Sequence, residues 1–245
     1  MPRIFVPPGE ITGELVTLPE AEARRLLKVL RMRAGEPVTL FDGRKEYLSV
    51  IVSITVKSAV LRLTGFSERA SEPRILTVLG QGTPKGERLE WALQKAVELG
   101  VSEFVPVVLE RSVKRPDVKD IEGRLKRLRK IAAEAARQSG RVCVPEVPAF
   151  MDLGMFVLHT RDAELKVVLY EGERTRGLRD VLHGRPDAGS VTILVGPEGG
   201  LTGDEVAEAE AAGYVPAGLG PRILRTETAA VAAMAIVQYE LGDAG

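Results

Sequence analysis

Val191–Tyr239 reads VTILVGPEGGLTGDEVAEAEAAGYVPAGLGPRILRTETAAVAAMAIVQY, and this stretch decides the fold. VTILV is an apolar, β-branched run that predicts a buried strand. It breaks at GPEGG and continues into an Ala/Glu-rich helix. The second half repeats the plan: YVPAGL is a short extended run, GPRIL a Gly/Pro loop, and Thr226 or Thr228 is placed to cap the Ala-rich helix after it. Two glycine-rich loops leaving short strands predict neighbours at the carboxyl edge of a sheet, the edge where open α/β sheets bind ligands.

Gly196, Gly199, Gly200, Gly218 and Gly220 let backbone come close to a ligand, while Pro197 and Pro221 hold the loops in shape. Few side chains there carry chemistry: Glu198, Arg222, Arg225, Thr226, Glu227 and Thr228. One such loop alone is more often a simple corner. The pair is the signal.

LVGPEGGLTGDE and LGPRILRTETAA closely resemble the two signature segments of the ribosomal small subunit methyltransferase E family, in the SPOUT superfamily of knotted methyltransferases. The resemblance implies a parallel-sheet α/β domain with a C-terminal trefoil knot, although the general rule is against knots. It also implies a homodimer with the active site near the interface, S-adenosylmethionine as methyl donor, and N3 of a uridine in 16S rRNA of the small ribosomal subunit as acceptor.

Composition sets wider limits. The 245 residues, 44% hydrophobic, suffice for one large domain or two modest ones. No apolar run is long enough to span a bilayer and the start lacks a signal-peptide core, so a cytoplasmic protein is expected. Cys143 is the single cysteine, and with His159 and His183 it offers no zinc-ligand spacing, so no metal is expected. The net charge of zero is unevenly spread: Met1–Phe66 carries 10 Lys+Arg against 7 Asp+Glu, Ser67–Ser190 carries 22 against 19, and Val191–Gly245 carries 2 against 8. An RNA partner would therefore be gripped mainly by the first two regions.

Near the start, RIFV is a short strand ended by Pro-Pro-Gly. LPEAEARRLLKVLRM sets Ala23, Leu26, Leu27 and Leu30 at helical spacing. PVTLFDG, KEYLSVIVSIT and SAVLRLTGF then read as strands, with Asp42-Gly43 as a hairpin turn. A helix set among short strands suggests a small β-barrel, and LLKVLRMRAGEPVTLFDG resembles the family's PUA-like RNA-binding domain. The Pro-containing polar run SERASEPRI marks a boundary, giving a PUA-like domain over residues 1–68 and a methyltransferase domain over 73–245.

RILTVLGQG opens the second domain. Gly80, Gly82 and Gly86 nearly form a dinucleotide fingerprint, but the third glycine falls one place late, and no Lys-Ser/Thr pair completes a P-loop; both cofactors are rejected. Leu89, Leu93, Ala96, Val97 and Leu99 give the next helix a core face ending at Gly100. FVPVVLE is another buried strand, and the basic run ERSVKRPDVKD comes after it. The next helix, IEGRLKRLRKIAAEAARQSGR, keeps Leu125, Leu128, Ile131 and Ala135 for the core and carries Arg124, Lys126, Arg127, Arg129 and Lys130, either a solvated face or a phosphate track. LKVVLYE is a further strand whose end, Leu169–Gly172, should join the ligand edge.

From the resemblance, Arg225 is the expected central catalytic residue, because a guanidinium stays protonated and its fork of donors suits charge growing on a uracil carbonyl. Glu198 would orient the loop or the substrate; the proton could pass to Glu198, Glu227, water or no specific group. Leu194, Gly196, Gly200, Leu219, Gly220, Ile223, Leu224, Thr226 and Thr228 are the cofactor-lining candidates. Arg3, Arg31, Arg111, Gln138 and Arg141 are the RNA-facing ones. A ribose 2′-O-methyltransferase and a non-catalytic RNA-binding factor are the competing functions.

Overall fold

The computed structural model describes residues 1–7, 9–43, 45–66, 72–112 and 118–244. The boundary run Ser67–Ser71 and the Val113–Asp117 part of ERSVKRPDVKD lie outside the described residues. The chain forms two compact units: Met1–Glu72 with Ala136–Val144, and Pro73–Ala135 with Pro145–Gly245.

The first unit is a five-stranded sheet. Its strands β1 (Arg3–Phe5), β2 (Leu15–Leu18), β3 (Pro37–Phe41), β4 (Glu46–Ile54) and β5 (Ala59–Phe66) lie in the order β1-β3-β4-β5-β2. Only β1 and β3 run parallel; the other pairs are antiparallel. Inward residues such as Ile4, Val16, Leu18, Leu40 and Leu61 form the core together with Ala23 and Leu26.

The helical stretch departs from the sequence expectation. An α-helical segment α1 (Glu20–Arg24) passes into a π-helical turn over Arg25–Val29. The Leu30 amide donates to the Arg25 carbonyl five residues back, at 3.0 Å. The wider turn rotates the residues beyond it, so Leu30, expected in the core, is 42% exposed and Met32 is buried instead. Arg31 then takes the left-handed conformation, φ 56°, which is uncommon outside glycine.

The second unit is a six-stranded parallel sheet with helices around it. Its strands are β6 (Leu76–Gly82), β7 (Glu103–Val108), β8 (Met151–Asp152), β9 (Leu165–Leu169), β10 (Ser190–Val195) and β11 (Val215–Ala217), ordered β11-β9-β10-β6-β7-β8. Its helices are α2 (Arg88–Glu98), α3 (Val118–Ser139, whose last residues belong to the first unit), α4 (Leu153–His159), α5 (Leu178–His183), α6 (Gly203–Ala211) and α7 (Thr226–Glu240). The central strands are continuous apolar runs, as burial on both faces requires. Val195 registers with Gln81 on one side and Leu169 on the other, and Leu169 with Ala217. The loops leaving β6, β9, β10 and β11 therefore share one carboxyl edge, as the paired glycine loops predicted.

Gly80 and Gly82 owe their identity to this packing. A Cβ on Gly80 would stand 2.3 Å from Phe156 Cζ, and one on Gly82 would stand 2.6 Å from the Pro197 backbone nitrogen. The near-fingerprint is thus a close approach of protein to protein. No described helix is long and apolar enough to cross a membrane.

Candidate functional site

At the carboxyl edge the loops after β9, β10 and β11 enclose a cavity of about 750 Å³ with the start of α7. Gly196, Glu198, Gly200, Leu219, Gly220, Ile223, Leu224, Arg225 and Thr226 line it, so most of the residues expected from sequence are brought together. Leu194 is not among them: it points into the core under the sheet and is fully buried. Thr228 lies on the exposed side of α7, away from the lining.

Thr226 is the junction of three elements. Its hydroxyl donates to the Gly196 carbonyl at 2.5 Å and accepts from Gln81 Nε2 at 2.7 Å, while Gln81 Nε2 also reaches the Gly82 carbonyl at 3.0 Å. The end of β6, the GPEGG loop and the first turn of α7 are thereby tied at one buried atom. The expected capping role is corrected: Arg225 is the N-cap, with no side-chain cap, and Thr226 spends its hydroxyl on the neighbouring loop. Opposite, Gly218 forms a bridge with Gly177, its N–H donating to the Arg176 carbonyl at 2.9 Å. A Cβ there would meet the Glu173 carbonyl oxygen at 2.6 Å, so only glycine permits the approach.

The charged groups form a chain. Glu198 Oε1 accepts from the Lys85 amide at 2.9 Å and from Arg88 Nη1 at 2.6 Å, and Arg88 Nε lies 3.8 Å from Glu227 Oε1. Burial by itself would raise the Glu198 carboxyl. The Lys85 amide, a backbone bond at Glu198 itself and the Arg88 guanidinium outweigh it and hold the group below the ordinary carboxylate value. Glu227 is more buried than either, and its Oε2 has no partner among the described residues. On the far wall Glu173 is held as an anion, its pKa lowered to about 2 by the Thr175 hydroxyl and amide and the Arg176 amide. Arg111 donates from Nη1 to the Gly199 carbonyl at 2.8 Å and lays its stem against that glycine.

Three participants escaped the sequence reading. Arg88 looks like an ordinary solvated residue in a first helical turn; only its contact across 110 positions reveals it. Gln81 sits inside the near-fingerprint and is fully buried. Glu173 belongs to a charged loop with no pattern of its own.

The other RNA-facing candidates lie in the first unit. Arg3 is nearly buried: Nε donates to Glu46 at 2.8 Å, Nη1 to the Arg137 carbonyl at 3.2 Å and Nη2 to the Arg141 carbonyl at 2.9 Å, over the Phe41 ring. Arg141 is buried and bonded to Glu72 at 2.7 Å. Arg31 and Gln138 are exposed. Among the described residues no group of His, Cys, Asp and Glu could hold a metal.

The cavity offers a nucleoside close-approaching backbone for base and ribose, apolar Leu219 and Ile223, and charged groups of both signs, the carboxylates Glu171, Glu173 and Glu198 and the guanidinium groups of Arg88, Arg174, Arg176, Arg222 and Arg225. Comparison with known proteins narrows the class. A family model described as an RNA methyltransferase domain matches residues 71–238. Ribosomal RNA small subunit methyltransferase E of Bacillus subtilis is 35% identical over 96% of this chain and 91% of its own length. The chain belongs to the ribosomal RNA small subunit methyltransferase E family. A crystal structure of a family member from Neisseria gonorrhoeae bound to S-adenosyl methionine is 35% identical, covers 99% of both chains and superposes with a TM-score of 0.90. A Legionella pneumophila methyltransferase in complex with the bound cofactor is 33% identical over 98% of both chains, TM-score 0.89. The two glycine loops after β10 and β11 build the cavity together with the loop after β9.

Proposed function

We propose that this chain methylates N3 of a uridine in 16S rRNA of the small ribosomal subunit, with S-adenosylmethionine as donor, acting in the cytoplasm as a homodimer. The observation that carries the reading is the cavity between the two signature loops, with Arg225, Arg88 and Glu198 at its rim. When bound, S-adenosylmethionine supplies an electrophilic methyl group on a sulfonium. Backbone of Gly196, Gly200, Leu219 and Leu224 would hold its adenosine, and the Glu171 and Glu173 carboxylates would face its cationic end.

The chain's own work is to position uracil and favour its anion. N3 of uridine is about as acidic as a tyrosine, near 10, so charge delocalised onto the carbonyls must be stabilised. Arg225, at the exposed N-cap of α7, serves as that donor. Glu198 is a weak base because its pKa is depressed and its oxygen is already engaged. It serves to position Arg88 and the GPEGG loop. Glu227, whose Oε2 has no partner among the described residues, serves as the proton acceptor.

Residues 1–68 act as the PUA-like RNA-binding barrel and residues 73–245 as the methyltransferase domain. Exposed Arg31, Arg111 and Gln138 are the RNA contacts, whereas Arg3 and Arg141 shape the first unit. The trefoil knot follows from the family resemblance of this segment, whose Gly218–Arg225 stretch is tied to Gly177 at one end and to Gly196 through Thr226 at the other.

The test is transfer of labelled methyl groups to small subunits lacking the modification, followed by nucleoside mapping. 3-Methyluridine, lost with Arg225→Ala, supports the reading. Label on ribose overturns the target, and no label with cofactor bound overturns catalysis.

A further inference from the structure

A second, smaller cavity is lined by the Thr83–Glu87 turn, which leads directly into Arg88 at the first. It measures about 300 Å³, at the lower end of small-ligand pockets, which run from roughly 300 to 1,000 Å³. Its walls are apolar at Pro84, Leu89, Leu128 and Phe150, and its rim carries Arg124 and Arg127. Three features mark it as more than a packing defect. Thr83 is 6% exposed, and its hydroxyl has no hydrogen-bond partner among the described residues, a cost that a native fold seldom leaves without a reason. Arg127 is drawn to the rim by Glu90, its Nη2 at 2.7 Å from the carboxylate. Arg124 is exposed and makes no ion pair or hydrogen bond among the described residues.

We propose that this slot binds an unpaired nucleotide of the RNA substrate next to the one being methylated. A flat base enters between the apolar wall and the Arg127 plane, as single-stranded bases do against aromatic and guanidinium faces. The Thr83 hydroxyl meets the base edge and Arg124 takes the phosphate. The two cavities open on neighbouring residues of one segment: Gly86 lines the slot and Arg88 the larger cavity. The same turn supplies the Lys85 amide to Glu198 at the rim of the larger cavity.

The inference rests on the methyltransferase reading, and its test separates the two. Arg124→Ala and Thr83→Val are made in the full chain and assayed on unmethylated small subunits, with cofactor affinity measured by calorimetry. Expected is a rise in KM for the subunit of roughly 10-fold for Arg124→Ala and a smaller rise for Thr83→Val. kcat should stay within about twofold and cofactor affinity should not change. The isosteric valine and the exposed Arg124 site leave folding intact. Unchanged KM in both variants overturns the slot. So does a nucleoside monophosphate that binds the slot as tightly as RNA, since the site would then serve free nucleotides. Failure of the wild-type chain to methylate at all sinks the methyltransferase reading instead. In that case the affinity of a fluorescent single-stranded 16S fragment, compared between wild type and Arg124→Ala, still decides the slot: equal affinities reject it.

Discussion

Replacing Thr226 by valine removes one hydroxyl and keeps the shape. That hydroxyl makes two bonds, to the Gly196 carbonyl and from Gln81 Nε2. Gln81 Nε2 retains Gly82, so its loss is partial; the Gly196 carbonyl loses the only side-chain donor described for it. At about 0.5–1.5 kcal/mol for each net bond, the destabilisation should be about 2 kcal/mol. For a unit of this size that lowers the melting temperature by about 4–8 °C. Serine at the same position keeps the hydroxyl and loses one methyl, about 0.8 kcal/mol. Calorimetric unfolding of wild type, Thr226→Ser and Thr226→Val should therefore rank in that order. Cofactor affinity should fall with valine, because the bond joins two walls of the cavity. A valine variant as stable as wild type within about 0.5 kcal/mol, or a serine variant as damaged as valine, would refute the junction.

Arg88→Gln frees Glu198, whose carboxyl then titrates higher. In the wild type that depressed group stabilises the fold above its unfolded pKa of about 4.5 and loses the effect as pH falls through the lower folded value. Denaturant unfolding should thus find the wild type more stable than the variant near neutral pH, with the gap closing as pH falls through the carboxylate range; a gap that does not change with pH would count against the contact. Arg3→Ala breaks a nearly buried pair with Glu46 and should cost about 3–5 kcal/mol in denaturant unfolding; unchanged stability with weakened RNA binding would make Arg3 an RNA contact instead. Gly82→Ala drives a methyl group into the Gly196–Pro197 backbone, so calorimetry should find cofactor binding abolished or sharply weakened, and normal affinity would show that the loop has room to shift.

The strand–loop–helix plan of Val191–Tyr239 was legible because each step is local. Apolar β-branched runs, Gly/Pro punctuation and an Ala-rich helix are read residue by residue, and β10, α6, β11 and α7 lie where they predict. The contacts that join those steps are not local. Gln81 and Arg88 meet residues more than a hundred positions away, and no pattern in GQGTPKGER announces it.

Two failures of local reading share one cause. Helical spacing placed Leu30 in the core because it assumed a constant turn; one five-residue bond from Leu30 to Arg25 changed the phase and exposed it. Helix-start chemistry made Thr226 a cap because it assumed that the nearest orphan amides were the best partners for its hydroxyl. A buried carbonyl on the next loop outcompeted them, since leaving Gly196 without that donor inside the fold would cost more than leaving first-turn amides near the open cavity. Sequence patterns count partners within a turn or two, whereas burial decides which polar group most needs one. The same logic singles out Thr83: the near-fingerprint around it gives its side chain no role, and its buried hydroxyl has no partner among the described residues, the place that a bound base would take.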